Sequence, residues 1–254
     1  MTTEYSGSGD PRRSIELLWG VQERPRRGPK PKLTVPQIAA VAVAVADQEG
    51  LAALSMRRLA EQLGVTAMSL YTYVPGKAEL IDLMLDTVNG EPDMPADLPG
   101  GWRGRLRHIA CQNRAMYLRH PWLLQVATSR PPLGPNLVAK YDYELRALDG
   151  IGLTDVEMDL TLSMINDYVH GAARGALHAV QVRDSSEVTD QEWWERAAPV
   201  LSKVLRPERY PTASRVGVAA GQEFDAAYDP ERSFAFGLDR LLDGVAALIA
   251  ARTD

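Results

Sequence analysis

The stretch 55–77 reads SMRRLAEQLGVTAMSLYTYVPGK, and its side chains have the types and spacing to do chemistry on a nucleic acid. Thr66, Ser69, Tyr71 and Tyr73 carry hydroxyls and Lys77 an ammonium, all suited to donate to phosphate oxygens. Ala67, Met68 and Thr72 offer methyl groups and one hydroxyl to base edges, where the thymine methyl is an apolar landmark. At helical spacing, residues 66–73 turn these groups outward and send Leu70 inward. Ser55, which opens the preceding element, is counted with them as a contact.

An earlier helix must hold that reading helix in place. Ser55 is a natural cap, because its hydroxyl accepts a bond from a backbone N–H of the first turn. Leu59, Ala60 and Leu63 give this helix an apolar face, and Ala60 is small enough to let a second helix come close. Gly64 falls where the chain must enter the left-handed region, which costs glycine least. Val65 fills the angle, Pro75-Gly76 stops the second helix, and Lys77 opens another that runs to about Asn89. Upstream, Thr34-x-x-Gln37 is a capping-box signal for a first helix ending before Gly50. The spacing is that of a helix-turn-helix.

The run 28–89 resembles the DNA-binding domain of the TetR family of one-component transcriptional regulators. The matching residues are the basic lead-in RRGPKPKL, then PQIAAVAVAVADQEGLAALSM and RRLAEQLGVTAMSLYTYVPGKAELIDLMLD. Leu70-Tyr71, Tyr73 and Lys77 are its most specific marks. Thr72 and Pro75-Gly76 depart from the pattern, which bears on the bases read. The later half is similar to the C-terminal domain of the tetracycline repressor at Trp102, His120-Pro121-Trp122, Gly134-Pro135-Asn136, Gly152-Leu153 and FAFGLDRLLDGVAALIA. This resemblance implies a homodimer built on a four-helix bundle, a double-stranded, pseudo-palindromic operator, and a repressor released by a small molecule.

Arg24, Arg26, Arg27, Lys30 and Lys32 lie in nine residues without an acid, among Pro25, Pro29 and Pro31. Proline keeps such a segment extended. It reads as an arm laid along DNA through Arg26, Arg27 and Lys30, or else as a solvated linker. The net charge of −5 looks wrong for such a role until it is divided. Residues 24–90 hold eight Lys/Arg against six Asp/Glu, while residues 91–254 hold eighteen against twenty-three. Positive charge thus gathers where DNA would lie.

Three segments are expected: 1–23, a disordered or loosely docked extension; 24–90, a three-helix DNA-binding domain; and 91–254, a larger helical regulatory and dimerisation domain. The Gly/Pro-rich run GEPDMPADLPGG divides the last two. Beyond it the pattern predicts helices at 102–119, 136–149, 154–182, 190–205 and 231–251, with 206–230, spaced by prolines and glycines that break helices, a mobile loop, and no strand anywhere. The class is all-α. Asn166, His170, Arg174 and His178 recur every four residues along one helix. With Trp102, Met116, Trp122 and Tyr143 as apolar walls, they form a candidate pocket for a hydrophobic effector. The alternatives are histidines that are solvated or bonded across a subunit interface, and a plain core. Ala172, Gly175 and Ala176, with Leu238, Leu241, Leu242, Val245 and Leu248, are candidates for the dimer interface, or bury inside one subunit.

At 254 residues, 45% hydrophobic and 24% charged, the chain has a soluble globular profile of one or two domains. No apolar run approaches the ~20 residues of a membrane span, and no signal peptide is apparent, so a cytoplasmic protein is expected. One cysteine, Cys111, excludes an internal disulfide. His108, His120, His170 and His178 show no metal-ligand spacing, and neither a P-loop nor a G-x-S-x-G is present. No enzyme, metal or cofactor is expected. The rival reading is a DNA-binding regulator or architectural protein without an effector.

Overall fold

The computed structural model describes residues 3–21 and 33–252. The arm residues Arg26, Arg27 and Lys30 lie outside the described residues. The fold is all-α apart from one short parallel pair, β1 (Glu4–Tyr5) and β2 (Val126–Ala127), in the register Glu4 to Val126. The helices are α1 (Pro11–Leu18), α2 (Val35–Glu49), α3 (Met56–Leu63), α4 (Ala67–Tyr71), α5 (Lys77–Asn89), α6 (Gly101–Arg119), α7 (Pro135–Arg146), α8 (Asp155–Ser186), α9 (Asp190–Val204), α10 (Pro211–Phe224) and α11 (Pro230–Ala250).

Local chemistry sets the helix starts. At α2 the Thr34 hydroxyl accepts from the Gln37 N–H while Gln37 Oε1 accepts from the Thr34 N–H at 2.9 Å, a complete capping box. The Ala/Val run behind it buries Ile38, Ala39, Ala42, Val43, Val45 and Ala46. These pack with Leu59 of α3, Leu70 of α4 and Leu80 and Met84 of α5 into one core. The same core takes in Met116, Trp122, Leu123 and Val126, from beyond the Gly/Pro-rich run. The described chain forms two compact units. One runs to His170 and resumes at Val245; the other is Gly171–Gly244.

The structure bears on three expectations. Of the two alternatives for the extension, disordered or loosely docked, residues 3–13 take the docked one, because their polar groups find buried partners. Ser6 Oγ donates to the Arg130 carbonyl at 2.7 Å, and the Gly7 N–H to Asp82 Oδ1 at 3.0 Å. In α1, Ser14 Oγ donates to Asp82 Oδ2 at 2.9 Å, and Leu17 is buried. The strand pair itself was not expected from two residues without β periodicity. Third, 206–230 is largely the helix α10. Its Gly221 reads as a breaker, yet a Cβ there would come within 2.4 Å of the Trp194 ring, so the glycine serves close packing.

Candidate functional site

The helix-turn-helix is built as its sequence requires. Ser55 Oγ accepts from the Arg58 N–H at 3.1 Å and starts α3. Gly64 closes it at φ 65°, ψ 33°, and the Val65 N–H returns to the Ala60 carbonyl at 3.0 Å. The turn is therefore held by backbone bonds that need Gly64 in the left-handed region. Thr66 Oγ1 then accepts from the Ser69 N–H at 3.2 Å and starts α4, which is shorter than the expected 66–73. Tyr73 and Val74 follow with their N–H groups on the Leu70 carbonyl at 2.9 and 3.0 Å.

On α4 and its flanks, Thr66, Met68, Tyr71 and Thr72 are exposed, as is Ser55, while Ala67, Ser69 and Tyr73 are half-buried. Met68 is 77% exposed and Tyr71 46%, while the intervening Leu70 is fully buried. Thr72 Oγ1 donates to the Ser69 carbonyl at 2.6 Å, so its methyl and oxygen lone pairs remain for a partner. The Lys77 ammonium is engaged by Glu4 Oε1 at 2.8 Å. Sequence reasoning missed that pairing, which spans 73 positions and leaves no local signal.

Behind α4, α5 carries three buried acids, Glu79, Asp82 and Asp86. Asp82 receives Gly7 and Ser14; Asp86 accepts from the Leu137 N–H at 2.9 Å and so caps α7. Burial pushes the Asp82 and Asp86 carboxyls above the usual range, against the opposing pull of these hydrogen bonds. A further cluster joins α2 to the segment after α6. Asp47 Oδ1 lies 2.8 Å from both His120 Nδ1 and Trp122 Nε1, and Glu91 Oε2 lies 2.9 Å from His120 Nε2.

The effector residues fare unevenly. Trp122 and Met116 are not pocket walls but belong to the core shared with α2 and α5, because Asp47 satisfies the buried indole N–H. Trp102 and Tyr143 are half-buried. Asn166 meets Asn113 Nδ2 at 2.9 Å, and Asn113 also reaches Glu144 at 2.8 Å, where Lys140 Nζ stands at 2.6 Å. The His170 ring lies edge-on to Tyr117 at 5.4 Å. The Tyr117 hydroxyl is pushed up to about 12 by burial, then by the charges of Glu144 and Asp167. Arg174 and His178 are exposed in the other unit. A four-residue repeat rotates about 40° per step on a 3.6-residue helix, so the stripe drifts off the inner face.

Sequence reasoning missed the Asn113–Lys140–Glu144 group: Asn113 comes from α6, 31 positions from Glu144, although Lys140 and Glu144 form an i, i+4 pair on α7 that the spacing could have signalled. Beside it a crevice of about 10 Å³ is lined by His108, Asn113, Lys140, Tyr143 and Glu144, room for about one water. His108 Nε2 is buried there without a hydrogen-bond partner among the described residues. A larger hollow of about 1230 Å³, bordered by Leu17, Trp19, Val35, Leu83 and Asn136, touches none of the expected effector residues.

The dimer candidates also divide. Leu238, Leu242 and Val245 are buried within the chain, as is Ala176, so they are not free to meet a second copy. Their i, i+4, i+7 spacing forms one inward stripe on α11. Ala172, Gly175 and Leu241 are half-buried, and Leu248 is exposed.

Residues 38–84 match the family model of bacterial regulatory proteins, tetR family, and residues 94–249 match the tetracyclin repressor-like C-terminal domain. The chain belongs to the TetR family. It is a DNA-binding transcriptional regulator of that family. It is 48% identical over 253 residues to the HTH-type transcriptional repressor DrrR1 of Streptomyces coeruleorubidus, covering 99% of this chain and 91% of that one. Apo ActR of Streptomyces coelicolor is similar in structure, with a TM-score of 0.71 and 28% identity over 88% of this chain and all of that one. ActR in complex with actinorhodin matches with a TM-score of 0.71 and 29% identity, over 85% and 96%. Among the described residues no helix is long and apolar enough to cross a membrane, and no group of three or more His, Cys, Asp or Glu could hold a metal ion.

Proposed function

We propose that this TetR-family protein is a cytoplasmic homodimeric repressor that grips a pseudo-palindromic operator and releases it when a small molecule binds its C-terminal domain. The observation that carries the reading is the capped helix α4, with Met68, Tyr71 and Thr72 outward and Leu70 buried. Thr66, Ser69, Tyr71 and Tyr73 meet phosphates, and Ala67, Met68 and Thr72 meet base edges, with Arg26, Arg27 and Lys30 of the basic arm alongside. Two such helices read half-sites about one turn (~34–36 Å) apart or somewhat more. DNA reading belongs to the residues before about 90 and regulation to those after, across one shared core. The DrrR1 relative is a transcriptional repressor by name, which supports the sign of regulation.

The dimer contact keeps Leu248 of the residues first expected and adds a face of α8. Val156, Leu160 and Met164 of α8 are exposed at i, i+4 and i+8, and Leu248 of α11 is exposed too. An apolar stripe of that period calls for a second helix surface. Release works by linkage: the effector binds one arrangement of the reading heads better than the other, and DNA the opposite one. The coupling is no larger than that difference, typically ~1–3 kcal/mol. The lever is α5, which opens at the reading head and caps α7 through Asp86. His108, Asn113, Lys140 and Glu144 are the polar groups an effector would meet once the one-water crevice beside them widens, and the ActR–actinorhodin complex supports a small-molecule ligand.

Selection of sites from a random duplex pool at two salt concentrations tests the reading. An enriched palindrome, bound more weakly as salt rises, is the expected result. Binding without a motif favours an architectural protein without an effector. The near-closed crevice beside His108 favours that second reading. A melting temperature unmoved by actinorhodin and related small aromatic molecules would strengthen it.

A further inference from the structure

The N-terminal extension reaches the reading head with an acid. β1 is fixed by its ladder to β2, by Ser6 on the Ala127 and Arg130 carbonyls, and by Gly7 on Asp82. So anchored, it delivers Glu4 Oε1 to 2.8 Å from Lys77 Nζ. Both side chains are about one-third exposed, so the pair stands at the surface within reach of a ligand. Lys77 follows Gly76 directly and is the first residue of α5, just beyond the reading helix. It is also the only lysine or arginine described between residues 59 and 102. A carboxylate held against that ammonium engages the same donor that a phosphate oxygen would need, by the same charge-assisted bond.

We propose that Glu4 is a built-in competitor for DNA: it holds Lys77 off the phosphate backbone and sets operator affinity below what the reading head would otherwise reach. The inference rests on the operator-reading function proposed above. Its position is set by β2 and not by the reading helix, so the strength of the competition depends on a segment outside the helix-turn-helix. Glu4 projects from a two-residue strand, so Glu4→Gln removes the charge and leaves the backbone pairing of β1 untouched.

The test measures operator affinity against salt, with the selected operator, for the full-length wild type, Glu4→Gln, Lys77→Ala and the double variant. Each freed lysine adds one phosphate contact, and log K against log salt steepens by ~0.9 per contact, or ~1.8 for two reading heads. The advantage of Glu4→Gln over wild type therefore grows roughly twelve-fold as salt falls from about 200 to about 50 mM. In the Lys77→Ala background, Glu4→Gln changes nothing. Equal slopes for wild type and Glu4→Gln overturn the proposal. So does a gain that persists without Lys77, which would mark a general loss of negative charge; Asp10→Asn measures that background. If the wild type binds no operator at all, the failure lies with the proposed function instead.

Discussion

Tyr71 and Asp82 show how one side chain decides between two roles. Tyr71 is 46% exposed beside the fully buried Leu70, so its ring contributes little to the core. Tyr71→Ala is expected to abolish operator binding in a gel-shift or anisotropy assay. Its stability should stay within the ~0.5 kcal/mol typical of surface changes. Unfolding of the variant would mean that the ring is structural. Asp82 presents the opposite case. A carboxyl held above its ordinary ~3.9 by burial favours the folded state while protonated. Its contribution is full below the unfolded-state value and is lost as pH rises through the folded one. Asp82→Asn cannot ionise and keeps an oxygen for the Gly7 N–H. It is therefore expected to melt above wild type at neutral pH, with the gap closing as pH falls towards ~4. A lower melting point at neutral pH would mean that the charged bonds to Gly7 and Ser14 outweigh desolvation.

At the scale of the element, the turn between α3 and α4 depends on Gly64. Nothing lies within 4 Å of where its Cβ would stand, so substitution there brings backbone strain without a clash. Gly64→Ala is expected to cost about 1–2 kcal/mol. Asn tolerates the left-handed region better, so Gly64→Asn should lose less, and equal losses in thermal melts would refute this account. These elements were legible because their signals are local: Ser55, Gly64 and Thr66 act within four residues of themselves. The rest was not legible for the converse reason. Glu4 meets Lys77, Asp47 meets Trp122, and Asn113 meets Glu144 and Asn166 across long stretches of chain. Such pairings have no period to read. The α10 helix was hidden by glycines that looked like breakers, and Gly221 is there to admit Trp194.

For the whole molecule, burial sorts the apolar residues of α8 and α11 into core and surface. Leu242 is fully buried, whereas Leu160 is 60% exposed. Periodicity alone cannot tell an inward stripe from an outward one, which is why Leu238, Leu242 and Val245 were open to either reading. Leu160→Glu is expected to yield a folded monomer by sedimentation velocity and to lose operator binding with α4 intact. Leu242→Glu is expected to unfold the chain. A Leu160→Glu protein that remains dimeric would move the interface elsewhere.

The cluster of Asp47, Glu91, His120 and Trp122 bears on how such regulators are recombined. A gene fusion that joins the head of one relative to the body of another at the Gly/Pro-rich run would separate Trp122 from the acceptor its indole needs. It would also split one hydrophobic core between two parents. A breakpoint after Ala127, with residues 3–21 carried along, keeps those partners in the same inheritance. The portable head is therefore about half the chain, well beyond the helix-turn-helix.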